Sequence, residues 1–184
     1  MFLTDLEIAA LREFCENIAW THKVHEKQAD IELNHSKRFR YLANTLLAIS
    51  ASGILATIVV DEWLLKVAFA LLSFGSLCVS IHRDASCFEM NYAAHIVAAK
   101  GYLRLRERTV NLLLLIEANA EIEDWQSEFN SIREAYLDIC EHAPRTSKRA
   151  LKEASEAIRL GEESSLLELL KVLVSVKGKC ADNG

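Results

Sequence analysis

The chain has 184 residues, 51% of them hydrophobic and 26% charged, with one proline, six glycines and a net charge of −5. Such proportions suit a nearly all-helical chain with little linker, and the acidic balance argues against direct nucleic-acid binding, which needs a basic surface. Five widely spaced cysteines (Cys15, Cys78, Cys87, Cys140 and Cys180) form no C-x-x-C pair, which argues against a disulfide framework or a zinc knuckle and fits reduced cytosolic thiols.

The opening run "MFLTDLEIAALREF" is acidic and amphipathic and lacks a basic n-region, so no cleaved signal peptide is expected. A helix is predicted from Thr4 to Lys37, continuous with the apolar stretch that follows. On its wheel Leu11, Phe14, Ile18, His22, His25 and Ala29 share one face, and Trp20, Val24 and Ile31 lie nearly opposite. Glu16, Lys23, Glu26 and Asp30 fill the flank between. Two apolar faces imply two partners, expected to be a helix of the same chain and a neighbouring subunit.

Two apolar arms come next. A bilayer core about 30 Å thick needs roughly 20 helical residues, and "YLANTLLAISASGILATIVV" (Tyr41 to Val60) supplies about that many without a formal charge. After Asp61 and Glu62, "WLLKVAFALLSFGSLCVSI" (Trp63 to Ile81) supplies about 19, broken only by Lys66. Neither arm alternates apolar and polar residues as a half-exposed soluble helix does. Buried helices of a soluble bundle would need more protein around them than this chain provides. The arms are therefore read as transmembrane helices over residues 41–60 and 63–81, with the acidic turn outside. Lys37, Arg38 and Arg40 before the first arm, and His82 and Arg83 after the second, place both termini on the cytoplasmic side. Lys66 lies near enough to the outer end to snorkel, avoiding the roughly 3 kcal/mol cost of a lysine at the bilayer centre.

A long helix is expected from about Ala85 to Ile116, with Phe88, Tyr92, His95, Ala99, Leu103, Arg106, Val110 and Leu113 along one face. Its run "VNLLLLI" is too short to cross a bilayer and reads as packed core. Polar residues from Glu117 to Glu121 allow a bend, and Glu121, Glu123 and Asp124 suit the start of the next helix, where acids favour the dipole. That helix carries the stripe Ile122, Trp125, Phe129, Ile132, Tyr136 and Ile139 and ends at Pro144. "TSKRALKEASEAIRLG" makes another, with Thr146 or Ser147 as N-cap and Gly161 as stop, and "SSLLELLKVLVSV" a last one. The fold class is thus an all-α membrane protein. It has a two-transmembrane helical hairpin with long cytoplasmic extensions (residues 1–118) and a small C-terminal helical unit (residues 119–184).

Candidate chemistry is sparse. No G-x-S-x-G, glycine-rich phosphate loop or paired cysteine and histidine motif occurs, so no enzyme and no cofactor is expected. His22 and His25 are spaced for one metal on a helix face, but H-x-x-H-E is neither zincin motif, and packed or switch histidines are preferred to a metal site. His25 lies about 16 residues before the first arm and His95 about 14 after the second, so straight helices bring them to within about 3 Å of one height. They are expected to meet, with His22, at a packed contact within a subunit or across subunits that keeps the imidazoles neutral. In the second arm Phe69, Ser73, Ser76 and Ser80 share a face that ends at Lys66 and Arg83. That face reads either as close helix packing through small residues or as a pore lining with basic mouths, and packing is favoured. Asn44, Thr45, Ala48 and Ser52 of the first arm form an alternative lining.

The segment "WTHKVHEKQAD" (Trp20 to Asp30), with Trp20, His22, Lys23, His25 and Ala29 ahead of basic residues and a short-looped hairpin, resembles the SLATT family, the SMODS and SLOG-associating two-transmembrane effector domains. The resemblance covers about Leu11 to Ile116, with the remainder as a C-terminal extension. It implies an effector of the bacterial inner membrane in antiphage, abortive-infection systems. Such an effector oligomerises and permeabilises the bilayer when a nearby-encoded sensor or a nucleotide second messenger signals infection. Trp20, His22, His25 and His95 are then candidates for the oligomer or switch contact. A non-conducting anchor or scaffold that recruits a cytosolic toxin or sensor is the alternative.

Overall fold

A computed structural model describes residues 5–59, 62–118 and 125–160, without the side chains of Asp5, residues 54–59 and Glu117. The Asp61 end of the expected turn, the acidic cluster at Glu121, Glu123 and Asp124, and the last expected helix lie outside the described residues. The described part is all helical. The helices are α1 (Asp5–Val59), α2 (Trp63–Ala85), α3 (Phe88–Glu117), α4 (Trp125–His142) and α5 (Lys148–Arg159).

The first helix has 55 residues, so it is about 80 Å long. It has no proline, and its single glycine, Gly53, does not break it. The expected continuity from the N-terminal helix into the apolar arm is therefore found. Helices α2 and α3 together run back along it. Phe69 lies beside Gly53, Ser76 beside Ala43, His82 beside Phe39, and His95 beside His25. One antiparallel register thus holds from the apolar end to the polar end.

The return strand of this helix pair breaks once. Ser86 caps α2 by giving its N–H to the His82 carbonyl, and Cys87 turns the chain with φ 51° in the left-handed region before α3 begins. A non-glycine residue there carries modest backbone strain, of order 1 kcal/mol or more. Phe88 closes the elbow by stacking on Phe39, with ring centroids 5.6 Å apart.

The core sits in the polar half. Leu11, Cys15 and Ile18 of α1, Tyr102, Leu105, Val110, Leu112, Leu113 and Ile116 of α3, and Ile132 of α4 form one buried cluster. Phe14 meets the rings of Phe129 and Tyr136 edge-on at 5.6 and 5.3 Å, a geometry aromatic quadrupoles favour. Pro144 stops α4 as expected, because proline lacks the N–H and restricts the residue before it. Ser147 then caps α5, its Oγ accepting the Ala150 N–H at 3.2 Å.

The two apolar faces of the first helix are both covered by this chain. One packs on α3 and α4, and the other, Val24 and Ile31 with Trp20 beside them, packs on Ala150 and Ala154 of α5. The neighbouring subunit expected on the second face is therefore replaced by α5. The cause lies in the alanine spacing of α5, which lets its backbone approach where a larger stripe would not fit. Residues 125–160 of the C-terminal segment accordingly rest on the α1 and α3 stems.

Candidate functional site

The apolar half and the polar half each hold candidate residues. In the apolar half, α2 turns one face to α1 and the rest outward. Trp63, Leu64, Leu71, Phe74, Leu77 and Ile81 are all more than half exposed. Among the described residues one stretch, within Trp63–Ile116, is long and apolar enough to cross a membrane. At 23 residues α2 measures about 35 Å, enough for a core about 30 Å thick.

The inward face of α2 is the serine face. Ser76 is buried and donates through Oγ to the Ala43 carbonyl at 3.3 Å. Ser73 donates to the carbonyl of Phe69 at 2.9 Å, and the Phe69 ring fills the gap left by Gly53. Ser80 is half-buried on the same side. So Phe69 and Ser76 meet the first arm within one chain, with Ser73 and Ser80 half-buried on the same side of α2. At its ends Lys66 is exposed, and Arg83 is drawn onto Asp84 through Nε and Nη2 at 2.9 and 2.8 Å. The other candidate face is differently placed. Asn44, Thr45, Ala48 and Ser52 all lie exposed on α1, with Ser52 donating to the Ala48 carbonyl at 3.0 Å.

In the polar half the histidines meet. His25 and His95 are both buried, with their Nδ1 atoms 3.0 Å apart. One Nδ1 donates and the other accepts, so a neutral pair holds opposite tautomers. His22 donates through Nδ1 to the carbonyl of Ala99 at 2.9 Å. The ring of Tyr102 covers His25 at 5.4 Å. Burial first, then the neighbouring His95 and His22, push the His25 imidazole down to about 4. Burial also lowers His95, against a smaller upward pull from Glu32. The pair is therefore neutral near pH 7. Trp20 stands apart from it, half-buried against the α5 side of α1.

Further residues tie this contact to α5. Gln28 donates through Nε2 to Glu32 at 2.8 Å, and its Oε1 accepts from both the N–H and the Oγ of Ser147, at 2.9 and 2.7 Å. Gln28, Glu32 and Gly53 were not singled out by the sequence, which offers only the spacing of Gln28 one turn beyond His25 and a lone small residue in an apolar arm. Among the described residues no group of three or more His, Cys, Asp and Glu side chains is gathered for a metal ion. Deeper in the core, the Tyr102 hydroxyl and the Cys140 thiol lie 3.3 Å apart, and burial pushes the Cys15 thiol up to about 11. A thiol so buried is inert packing.

Comparison with known protein families gives a match over most of the chain. Residues 8–168 fit the family model described as SMODS and SLOG-associating 2TM effector domain family 4. The match runs past the 11–116 span of the resemblance and takes in α4 and α5. No curated protein and no solved structure matches the chain.

Proposed function

This chain belongs to the SMODS and SLOG-associating 2TM effector domain family 4, and from that premise we propose that it is a membrane-disrupting effector of a bacterial antiphage system. In this reading α2 and the apolar half of α1 cross the inner membrane as a two-span hairpin, with both termini in the cytoplasm. Several copies assemble into a pore when a partner sensor or a nucleotide signal acts on the cytoplasmic helices. No catalytic chemistry and no cofactor enter the mechanism.

The outward girdle of α2 carries the proposal. Trp63, Leu71 and Phe74 are 67, 66 and 65% exposed, and among the described residues no helix covers them. Each large apolar side chain left in water forfeits roughly 1.5–3 kcal/mol, and a lipid bilayer removes that penalty along the whole girdle.

A pore needs a polar surface as well. Because the serine face of α2 is occupied by α1, the lining falls to Asn44, Thr45, Ala48 and Ser52 on the outside of α1. Two helices cannot enclose water, so the lining is built from several copies, each turning this face inward and its α2 girdle to lipid. Polar side chains that face a water-filled cavity avoid the cost they would meet in hydrocarbon.

Purified protein in liposomes, with and without the partner encoded beside it, tests the reading. Dye release that appears on triggering is the expected result. Stable insertion without release, together with recruitment of a cytosolic protein, would instead establish the anchor or scaffold.

A further inference from the structure

We propose that α5 is a latch on the histidine contact: Ser147, Gln28 and Glu32 couple the docking of α5 to the pairing of His25 with His95, so that undocking α5 admits protons to the pair and lets α1 and α3 part. The inference rests on the stem alone and is independent of pore formation.

The coupling is a set of polar contacts from Ser147 to Glu32, whose charge in turn acts on the hydrogen-bonded histidine pair. Ser147 begins α5 and caps it, with Oγ accepting the Ala150 N–H. The same residue gives Gln28 two hydrogen bonds, from N–H and Oγ. Gln28 passes its amide N–H to Glu32, and Glu32 acts on His95 by favouring its charged form. His95 shares one hydrogen bond with His25 across the α1–α3 contact. While α5 is docked, Gln28 is held from both sides and occupies one oxygen of Glu32. The imidazoles stay dry and neutral.

Docking itself is weakly held. The buried residues of α5 are alanines, Ala150, Ala154 and Ala157, which bury little area each. Its outer side carries Lys148, Arg149, Lys152 and Glu156, all exposed. Small buried area and a few polar ties describe an element at the low-stability end of a fold.

The groups around the pair fix the sign. On α1 stand His22, which disfavours charge on His25, and Glu32, which favours it on His95. On α3 Tyr102 covers His25, its hydroxyl turned to Cys140 of α4 and its proton held more tightly by burial. At the start of α5 the neutral Ser147 reaches this side through Gln28. When α5 leaves, Gln28 loses its two donors, Glu32 is released, and water reaches the rings. A first proton is then stabilised by Glu32. A second puts two N–H groups face to face at the separation that now holds one bond, and the stems separate. By reciprocity, protonating the pair loosens α5.

The test uses the full chain in detergent micelles with Trp63→Phe and Trp125→Phe, so that Trp20, beside α5, is the sole indole. Imidazole NMR follows His25 and His95 during the same pH titration. Trp20 emission is expected to shift to the red over the range in which the two histidines titrate. Ser147→Gly removes the hydroxyl but keeps a residue tolerated at an N-cap, and Gln28→Glu keeps the acceptor for Ser147 while repelling Glu32. Both are expected to raise the histidine midpoint by about one pH unit. Trp20 emission that stays constant through the histidine titration would overturn the latch. So would histidine midpoints that stay at the wild-type value in a folded Ser147→Gly or Gln28→Glu protein.

Discussion

Gly53 of α1 stands against the ring of Phe69 of α2, and a Cβ placed on this glycine would overlap the ring. The close approach sets the distance between the two arms toward the end where α1 gives way to α2. Gly53→Ala is expected to splay the hairpin and cost about 1–3 kcal/mol, the usual range for overpacking. Phe69→Ala in the same chain should recover most of the loss, because the two changes act on one contact. A disulfide engineered between positions 43 and 76, where Ser76 meets Ala43, reports the outcome as crosslinking yield. Equal yields in wild type and Gly53→Ala would show that the arms are not gauged by this glycine.

The histidine contact gives the stem a pH dependence with a defined sign. His25 titrates near 4 when packed and near 6.5 when released, so the unfolded chain binds more protons between those values. Stability is then full above pH 6.5 and falls as pH drops through that window. His142 is the opposite case. The carbonyl and carboxylate of Asp138 raise its pKa, so its small exposed contribution is present at low pH and fades as pH rises. His25→Ala should lower the melting temperature more than His142→Ala and flatten the curve between pH 6.5 and 4. Circular-dichroism melts across that range decide it, and an unflattened curve would assign the acid loss to other groups.

Much of this was legible in the chain itself. The apolar arms, the stop at Pro144, the cap at Ser147 and the meeting of His25 with His95 follow from helix rise and turn chemistry, which are local. The occupant of the Trp20, Val24 and Ile31 face was not legible. A stripe says that a partner exists, but the choice between α5 and a second subunit depends on how closely Ala150 and Ala154 let two backbones approach. The same limit applied to the serine face, where one pattern serves packing and lining alike. Gln28 and Glu32 were hidden for a different reason. A glutamine and a glutamate one turn apart look like solvated surface until Ser147, far away in sequence, closes on them.

Helix α4 tests how the stem is held. Ile132 is fully buried against α1 and α3, whereas the Arg108–Glu128 pair at 2.9 Å is about 40% exposed on both sides. Ile132→Ala should therefore cost about 2–5 kcal/mol. Arg108→Ala should cost less than about 1 kcal/mol, because solvent screens the pair. Limited proteolysis between α3 and α4 is expected to accelerate in the first variant only. Equal acceleration in both would mean that the ion pair, rather than the core, fastens α4.

The last prediction separates the two candidate linings. In the hairpin Ser76 is buried against α1 and Ser73 and Ser80 are half-buried on the same side of α2, while Asn44, Thr45, Ala48 and Ser52 are exposed. If assembled copies conduct through the α1 face, single cysteines at 44, 45, 48 and 52 should react with a charged thiol reagent in the triggered state, and cysteines at 73 and 76 should stay protected. Cys78 is exposed on α2 and is replaced by serine in this series. Lys66 supplies a second readout, since it is exposed in the first turn of α2, beside a mouth that assembled hairpins would form there. A positive charge there favours anions, so Lys66→Glu should move the reversal potential of a planar-bilayer current toward cation preference. Reaction at 73 and 76 but not at 44 to 52 would mean that α1 and α2 rotate apart on opening and that the serine face lines the pore. An unchanged reversal potential in Lys66→Glu, with every one of these cysteines protected, would remove the pore and leave the anchor.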